Sequence, residues 1–219
     1  PMVVRAPMFA LGGTLVGFGV AMMVRSDLGV SQTDVLTTGL ANQFGLGVGF
    51  WSWFVATVMA IIAWVLGRTP SVGTLIGAVW VGGVVAIGLS LIGEASGAVP
   101  RTLLLLSGLV TLYAGIVAIV TSSMGTGPLE LVMLALGDRG WRLEVARWVL
   151  ELLILVSGVL LGGQLGIGTL LFALCTGPVL ATVLPHTMRW MGTDAVLPPG
   201  ATRGEDRGEA RPVRSRRAP

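Results

Sequence analysis

Long apolar segments separated by short polar ones make up most of the 219-residue chain. A helix needs roughly 17 to 25 residues to cross the hydrocarbon core of a bilayer, which is about 30 Å thick. Six apolar segments have about that length: residues 8–24, 48–66, 72–92, 103–120, 148–165 and 167–184. The pattern predicts an all-α fold, a polytopic membrane bundle of about six transmembrane helices.

Two further segments, residues 31–43 and 129–136, are too short to cross. As helices they would reach only about 20 and 12 Å. Each is expected to form a short helix, either re-entrant or lying in the membrane interface.

The second half of the sequence repeats the first, at an offset of 96 residues that becomes 95 farther along. The matched positions are Gly19 with Gly115, Gly29 with Gly125, and Gly73-Thr74-Leu75 with Gly168-Thr169-Leu170. This colinear series predicts a duplication, with a first membrane repeat over 8–92 and a second over 103–185. Three crossings in each repeat would turn the second copy upside down, which is the inverted-repeat plan of many transporters.

Charged residues are scarce before the C-terminal end. They make up 11% of the chain and apolar residues 53%, whereas soluble domains carry about 25% charged residues. Residues 1–202 contain eight basic and eight acidic side chains, so the net charge of +3 comes from the arginines of the end. We expect a disordered Arg-rich cytoplasmic tail over 190–219 and no nucleic-acid partner.

The arginines of the loops predict the orientation in the membrane. Cytoplasmic loops carry an excess of Lys and Arg. With both termini in the cytoplasm, two of the eight arginines before the tail, Arg25 and Arg101, lie outside. The six on the cytoplasmic side are Arg5, Arg68, Arg139, Arg142, Arg147 and Arg189. The expectation is a multi-pass protein whose N- and C-termini are both cytoplasmic.

Several strings in the chain are similar to one known family. They are Leu28-Gly29-Val30-Ser31 with Asp34-Val35-Leu36, Gly67-Arg68 with Gly73-Thr74-Leu75, Arg147 with Glu151, and the string from Gly162 to Leu174. Over roughly residues 10–185 the sequence resembles the YczE/YyaS/YitT family of bacterial membrane proteins. It departs from the family pattern at Gln32-Thr33, where Pro-Trp is frequent, and at Leu129-Glu130, where Arg-Asp is usual. The resemblance implies a protein of the bacterial inner membrane and no settled activity.

The polar residues of the two short segments are the first candidate site. If these segments lie flat in the interface, Asp34 is an ordinary solvent-facing residue. If they are re-entrant, their N-terminal ends would meet at the membrane midplane and attract a small polar or anionic solute, the one soluble partner that we expect. The candidate solute-binding residues are Arg25, Ser31, Asp34, Thr37, Thr126 and Glu130.

Arg147 and Glu151 form the second candidate. Their spacing of four residues puts them on one face of a helix. They are either a structural ion pair near the cytoplasmic interface or a pair in which Glu151 couples the movement of a proton or ion.

Residues that enzymes and metal sites require are nearly missing from the sequence. The chain has one cysteine, Cys175, one histidine, His186, and no lysine. This composition excludes cysteine-based zinc and iron–sulfur sites, multi-histidine metal sites and the phosphate-binding loop with its lysine. We expect no catalytic residues, no cofactor and no metal.

Two functions from different classes fit this pattern. The first is a transporter or permease for a small polar or anionic solute that binds between the two halves. The second is a non-transporting scaffold or accessory subunit of a secretion or biosynthetic complex, which would have a stable partner and no polar cavity between the halves. The lipid bilayer surrounds the protein in both, and a homo-oligomer is compatible with both.

Overall fold

A computed structural model describes residues 2–191, with side chains from Arg5 to Thr176 and at positions 178, 179, 182 and 183. Over these residues the chain forms eight α-helices and no strand, so the all-α class is confirmed. The helices are α1 (Met2–Ser26), α2 (Gln32–Phe44), α3 (Val48–Val65), α4 (Val72–Leu91), α5 (Ala98–Ser122), α6 (Pro128–Asp138), α7 (Leu143–Leu160) and α8 (Ile167–Met191). Nearly all of the predicted tail lies outside the described residues.

The membrane class is supported by the length and composition of four helices. In the described part of the chain, α3, α4, α5 and residues Arg5–Ser26 of α1 are long and apolar enough to cross a membrane. Helix α7 has 18 residues but carries three charges. In α8 only Ile167–Thr176 is described as an apolar stretch, which is too short to qualify. The fifth and sixth crossings therefore stay predictions.

Helices α1 and α5 run antiparallel and form the centre of the bundle. Gly12 lies against Gly115, and Gly19 lies against Gly108. A Cβ built on Gly19 would stand 2.7 Å from the backbone nitrogen of Leu112, so the two helix backbones touch. Such close approach is available only to small residues, which are enriched where membrane helices pack.

The remaining long helices extend this pair and define two ends. Helix α4 runs parallel to α1, with Gly17 against Val84 and Gly88 against Ala21, and α3 runs antiparallel to α4. Helix α8 runs parallel to α5, where the Tyr113 hydroxyl donates to the Phe172 carbonyl at 2.9 Å. We call the end where α1, α4 and α7 finish the Arg25 end. The opposite end, where α3 and α5 finish and α4 begins, is the Arg68 end.

Several local structures recur at the offset of 96 residues. Ser26 and Ser122 each donate a side-chain hydrogen bond of 2.6 Å to the carbonyl three residues earlier. The residues that follow them, Asp27 and Ser123, are both left-handed, with φ of 54° and 53°. These matches support the duplication, whereas the orientation of each copy across the membrane stays a prediction.

Candidate functional site

The start of α2 is closed by its own polar side chains. The Ser31 hydroxyl caps the helix by accepting from the Asp34 backbone N–H at 3.3 Å. The same hydroxyl donates to Oδ2 of the Asp34 carboxylate at 2.5 Å. The pair has the spacing of a capping box and makes its first bond, but the Asp34 carboxylate accepts from the Ser31 hydroxyl in place of the Ser31 backbone N–H. The Asp34 side chain is buried, with 8% of the residue exposed.

Two buried threonines complete the first turns of α2. The Thr37 hydroxyl donates to the Asp34 carbonyl at 3.1 Å, and Thr38 donates to the same carbonyl at 2.8 Å. Thr38 also accepts from the backbone N–H of Gln164 at 3.0 Å, which joins α2 to the loop between α7 and α8. The Thr37 hydroxyl is thus engaged within the helix and is not presented to a solute.

The start of α6 has the matching arrangement with different residues. Gly127 is the cap, Pro128 occupies the first turn, and the Glu130 carboxylate folds back so closely that a Cβ on Gly127 would clash with it. The Thr126 carbonyl accepts from the Thr74 hydroxyl at 2.9 Å. Unlike Asp34, Glu130 is exposed.

The two helix starts lie at opposite ends of the bundle, so the prediction that they meet in one site is wrong. The start of α6 contacts Thr74 in the first turn of α4. Arg25, six residues before the cap of α2, donates to the Leu89 carbonyl in the last turn of α4. These contacts, at Thr74 and Leu89, are 15 residues apart on α4, which separates the two starts by roughly 22 Å along its axis. The centre between the halves is filled by the packing of α1 on α5.

The expectation that the helix starts attract an anion is also corrected. The positive end of a helix dipole favours a negative group. In both short helices that group is the chain's own carboxylate, Asp34 in α2 and Glu130 in α6. A solute anion would have to displace that carboxyl group from either position.

Arg25 is not a free counter-ion for a solute. Its guanidinium pairs with Glu94 at 3.2 Å and also donates to the Leu89 carbonyl. Nearby, Asp27 pairs with Arg101 at 3.1 Å and accepts from the Gln164 side-chain amide at 3.4 Å. These bonds fix the end of α1 to α4, α5 and the loop between α7 and α8.

Three candidate residues lie together in the structure: Glu130, predicted to bind a solute, and Arg147 and Glu151, predicted as an ion pair or coupling pair. The Arg147 guanidinium pairs with Glu151 at 2.8 Å, and both side chains line a small cavity with Glu130. The cavity holds about 20 Å³ and is also lined by Leu129, Met133 and Leu150. This volume is enough for a water molecule. We name it the α6–α7 cavity. Among the described side chains no three His, Cys, Asp or Glu residues cluster as they would around a metal ion.

Each short helix lies on a helix of the other half. A Cβ on Gly158 of α7 would stand 2.5 Å from the backbone nitrogen of Leu36 in α2. On the other side Leu131 and Val132 of α6 form a buried cluster with Ala63 of α3. The sequence pattern does not predict this exchange, because the glycines at the contact are indistinguishable from those elsewhere in the helices.

A side-chain hydrogen bond or ion pair fixes the C-terminal end of each short helix. Neither interaction was predicted from the sequence. The Asn42 amide donates to the Gly162 carbonyl at 2.9 Å. At the matching position of α6, Asp138 accepts two bonds from Arg68, at 2.6 and 3.0 Å. The bonds from Arg68 lower the pKa of Asp138. Because Asn42 and Asp138 are 96 residues apart, the repeat could have indicated that they occupy matching positions.

We expect Arg68→Gln to loosen the end of α6. Amide hydrogen exchange in its last turn should become a few times faster, since an exposed ion pair contributes modestly to local stability. Asp138→Asn should have the same effect. In the double variant the amides of the last turn of α6 should exchange no faster than in either single variant. Arg142→Gln is the control, because Arg142 and its partner Glu144 are both 80% exposed. If the two changes accelerate amide exchange additively, Arg68 and Asp138 do not stabilise α6 through their ion pair.

Comparison with known proteins gives similarity without an activity. Residues 3–185 match the profile of a family described as a family of unknown function, DUF6198. The uncharacterized membrane protein YczE of Bacillus subtilis is 27% identical over 86% of this chain and 89% of its own. An uncharacterized protein of Haemophilus influenzae is 29% identical over 79% of each chain.

A third relative completes the comparison. The uncharacterized protein YyaS of Bacillus subtilis is 25% identical over 83% of this chain and 92% of its own. The resemblance to YczE and YyaS is therefore confirmed, and the likeness to YitT proteins stays a prediction. No solved structure matches the chain.

Proposed function

Since the chain belongs to the DUF6198 family, whose function is unknown, we propose from its own residues that this integral membrane protein is a transporter of a small polar solute. We place it in the bacterial inner membrane with both termini in the cytoplasm, as the loop arginines favour. The proposal rests on one observation above all. A carboxylate stands in the first turn of each short helix, at opposite ends of an otherwise apolar bundle.

Ionisable groups within a membrane bundle are expensive, and most of them serve a function. Asp34 is buried. Glu130 shares the α6–α7 cavity with Arg147 and Glu151. Structural roles account for each group separately, as an ion pair of Arg147 with Glu151 and as a helix-start carboxylate in Glu130, whereas solute binding would explain why the three lie at one cavity.

The charge of the α6–α7 cavity favours a polar or cationic solute. Two carboxyl groups, of Glu130 and Glu151, line the cavity with one guanidinium, that of Arg147, so the formal charges of the three groups sum to a negative value. A proton, an ammonium group or a hydroxyl-bearing solute is attracted there, and an anion is not. We therefore replace the anionic solute expected from the sequence by a polar or cationic one.

The two short helices supply a means of opening either end separately. Each of them contacts both α3 and α7, α2 at the Arg25 end and α6 at the Arg68 end. Helix α2 packs on α7 and helix α6 packs on α3, each in the other half. Rocking the halves as rigid bodies would therefore break both contacts at once. Movement of one short helix at a time would admit water from one side while the other side stays closed, as alternating access requires.

Transport by reconstituted protein tests this proposal. Proteoliposomes would be offered radiolabelled methylammonium, choline, putrescine and neutral amino acids in turn. All of them are larger than the water-sized cavity, so the proposal requires α6 to move off α7 before they bind. We expect uptake of at least one solute, and a fall of about tenfold or more in Glu130→Gln and Glu151→Gln. Glu144→Gln is the matched control on α7, because Glu144 is 80% exposed. If both cavity variants keep full uptake, the α6–α7 cavity is not the site.

A second function is favoured by a different feature. Helices α1 and α4 border an open groove of about 740 Å³ whose lining is almost entirely apolar and includes Phe18, Val79 and Trp80. A membrane scaffold or accessory subunit would seat a transmembrane helix of its partner there. It would co-purify with that partner in mild detergent and would move none of the solutes.

A further inference from the structure

Asp34 is a buried carboxylate without a basic partner. Its side-chain hydrogen bond is the one from the Ser31 hydroxyl at 2.5 Å. A carboxylate removed from water is stable as an ion only when it is paired or fully hydrogen-bonded. The positive end of the α2 dipole offsets part of this cost, and the charges on the helices packed against α2 decide the rest.

The two helices that pack most extensively on α2 bring no positive charge to it. Helix α3 contains no charged residue over Val48–Val65. The charged residues of α7 end at Glu151, whereas α2 lies against Gly158. Seven residues of helix separate these positions by about 10 Å. The loop from Leu161 to Gly166 is also uncharged.

The other neighbours of α2 are neutral or already paired. Val30 and Val35 pack in the central apolar cluster, whose titratable residues are Tyr113 and, at its margin, Cys175. The Tyr113 hydroxyl is bonded to the Phe172 carbonyl. At the end of α1, Arg25 is paired with Glu94, and Asp27 is paired with Arg101. No cation in the described part of the chain faces Asp34.

The hydrogen bond to Ser31 suits either state of the carboxyl group. The Ser31 hydroxyl accepts from the Asp34 N–H and has one further proton and one further lone pair. It donates to Oδ2 when Asp34 is ionised, and it accepts from the O–H when Asp34 is protonated. A proton can thus bind and leave without loss of the cap of α2.

We propose that Asp34 is a proton-binding site, filled while α2 is docked on α7 and emptied to water at the Arg25 end when α2 moves away. Binding forms one O–H bond on the carboxyl group, and release leaves the carboxylate. As the coupling site of a transporter this role rests on the proposed function. Glu130, the matching residue of α6, is exposed and has Arg147 beside it, so the duplicated positions have separate roles.

Infrared difference spectroscopy of the detergent-solubilised protein tests the site directly. At pH 5.5 the spectrum of wild type minus Asp34→Asn should contain the C=O band of a protonated carboxylic acid. Wild type minus Asp138→Asn is the control and should lack that band, because Arg68 lowers the pKa of Asp138. If the first difference spectrum also lacks the band while the variant keeps its helical circular dichroism, the proposal is overturned.

Proteoliposomes separate this proposal from the proposed function. With choline, putrescine or an amino acid that the wild type moves, Asp34→Asn should keep solute exchange and lose at least tenfold of the uptake driven by an imposed pH gradient. Undiminished pH-driven uptake in that variant would overturn the coupling role. If the wild type moves no solute, the transporter proposal and the coupling role fail together, and the infrared band still decides whether Asp34 binds a proton.

Discussion

Gly115→Val is expected to destabilise the protein more than any other single change proposed here. A Cβ at this position would stand 2.6 Å from the backbone nitrogen of Val16 and 2.7 Å from the Gly12 carbonyl oxygen. Both atoms belong to the backbone of α1, so no side-chain rotation relieves the clash. Overpacking of a core costs about 1–3 kcal/mol and more where the backbone must move.

The measurement is thermal unfolding in detergent, followed by tryptophan fluorescence. A loss of about 3 kcal/mol would lower Tm by roughly 6–12 °C in a chain of this size. Gly83→Val is the matched control on α4, where a Cβ meets nothing within 4 Å. It should change Tm by less than about 2 °C. Equal losses in both variants would contradict the close contact of α1 with α5.

Asp34→Asn is expected to stabilise the protein at alkaline pH. Burial raises the pKa of Asp34 from 3.8 to about 6, and the hydrogen bond from Ser31 lowers it in part. The folded protein therefore binds the proton more tightly than the unfolded chain. Its stability is highest below pH 4 and is lost as pH rises through about 6. The full loss of stability is about 3 kcal/mol. The Asp34→Asn variant avoids this loss because asparagine does not ionise.

The difference in Tm between variant and wild type should grow by roughly 4–8 °C from pH 4.5 to pH 8, which corresponds to about 2 kcal/mol. Asp138→Asn is the control, because the bonds from Arg68 lower the pKa of Asp138. Its Tm relative to wild type should not rise over the same range, since a carboxyl group whose pKa is lowered on folding adds stability as pH rises. A constant difference for Asp34→Asn would show that Asp34 is ionised in the folded protein at both pH values.

The helices could be predicted from the sequence because membrane burial leaves a strong one-dimensional pattern. The segment predicted over 72–92 is the helix Val72–Leu91, and the short segment 31–43 is the helix Gln32–Phe44. The N-terminal cap of α2 could also be predicted, since Ser31 and Asp34 have the spacing of a capping box. The same spacing argues against an anion site, because the carboxylate already fills the helix start.

The neighbours of the short helices could not be predicted from the pattern. Polarity marks the start of a helix but does not tell which end of the bundle it occupies. The contacts of Gly158 with Leu36 and of Ala63 with Leu131 join the two halves. They depend on the three-dimensional path of the chain, and so does the meeting of Glu130 with Arg147 in the α6–α7 cavity.

The distance between the starts of α2 and α6 tests the account most directly, because the separate access routes and the proton site both depend on it. Spin labels at Thr33→Cys and Thr126→Cys, in a chain carrying Cys175→Ala, would be measured by double electron–electron resonance in lipid. We predict a distance of roughly 22 Å, set by the rise of α4 between Thr74 and Leu89. A distance near 10 Å, about one helix diameter, would appear as broadening of the continuous-wave spectrum, would mean that the two starts converge and would contradict the account.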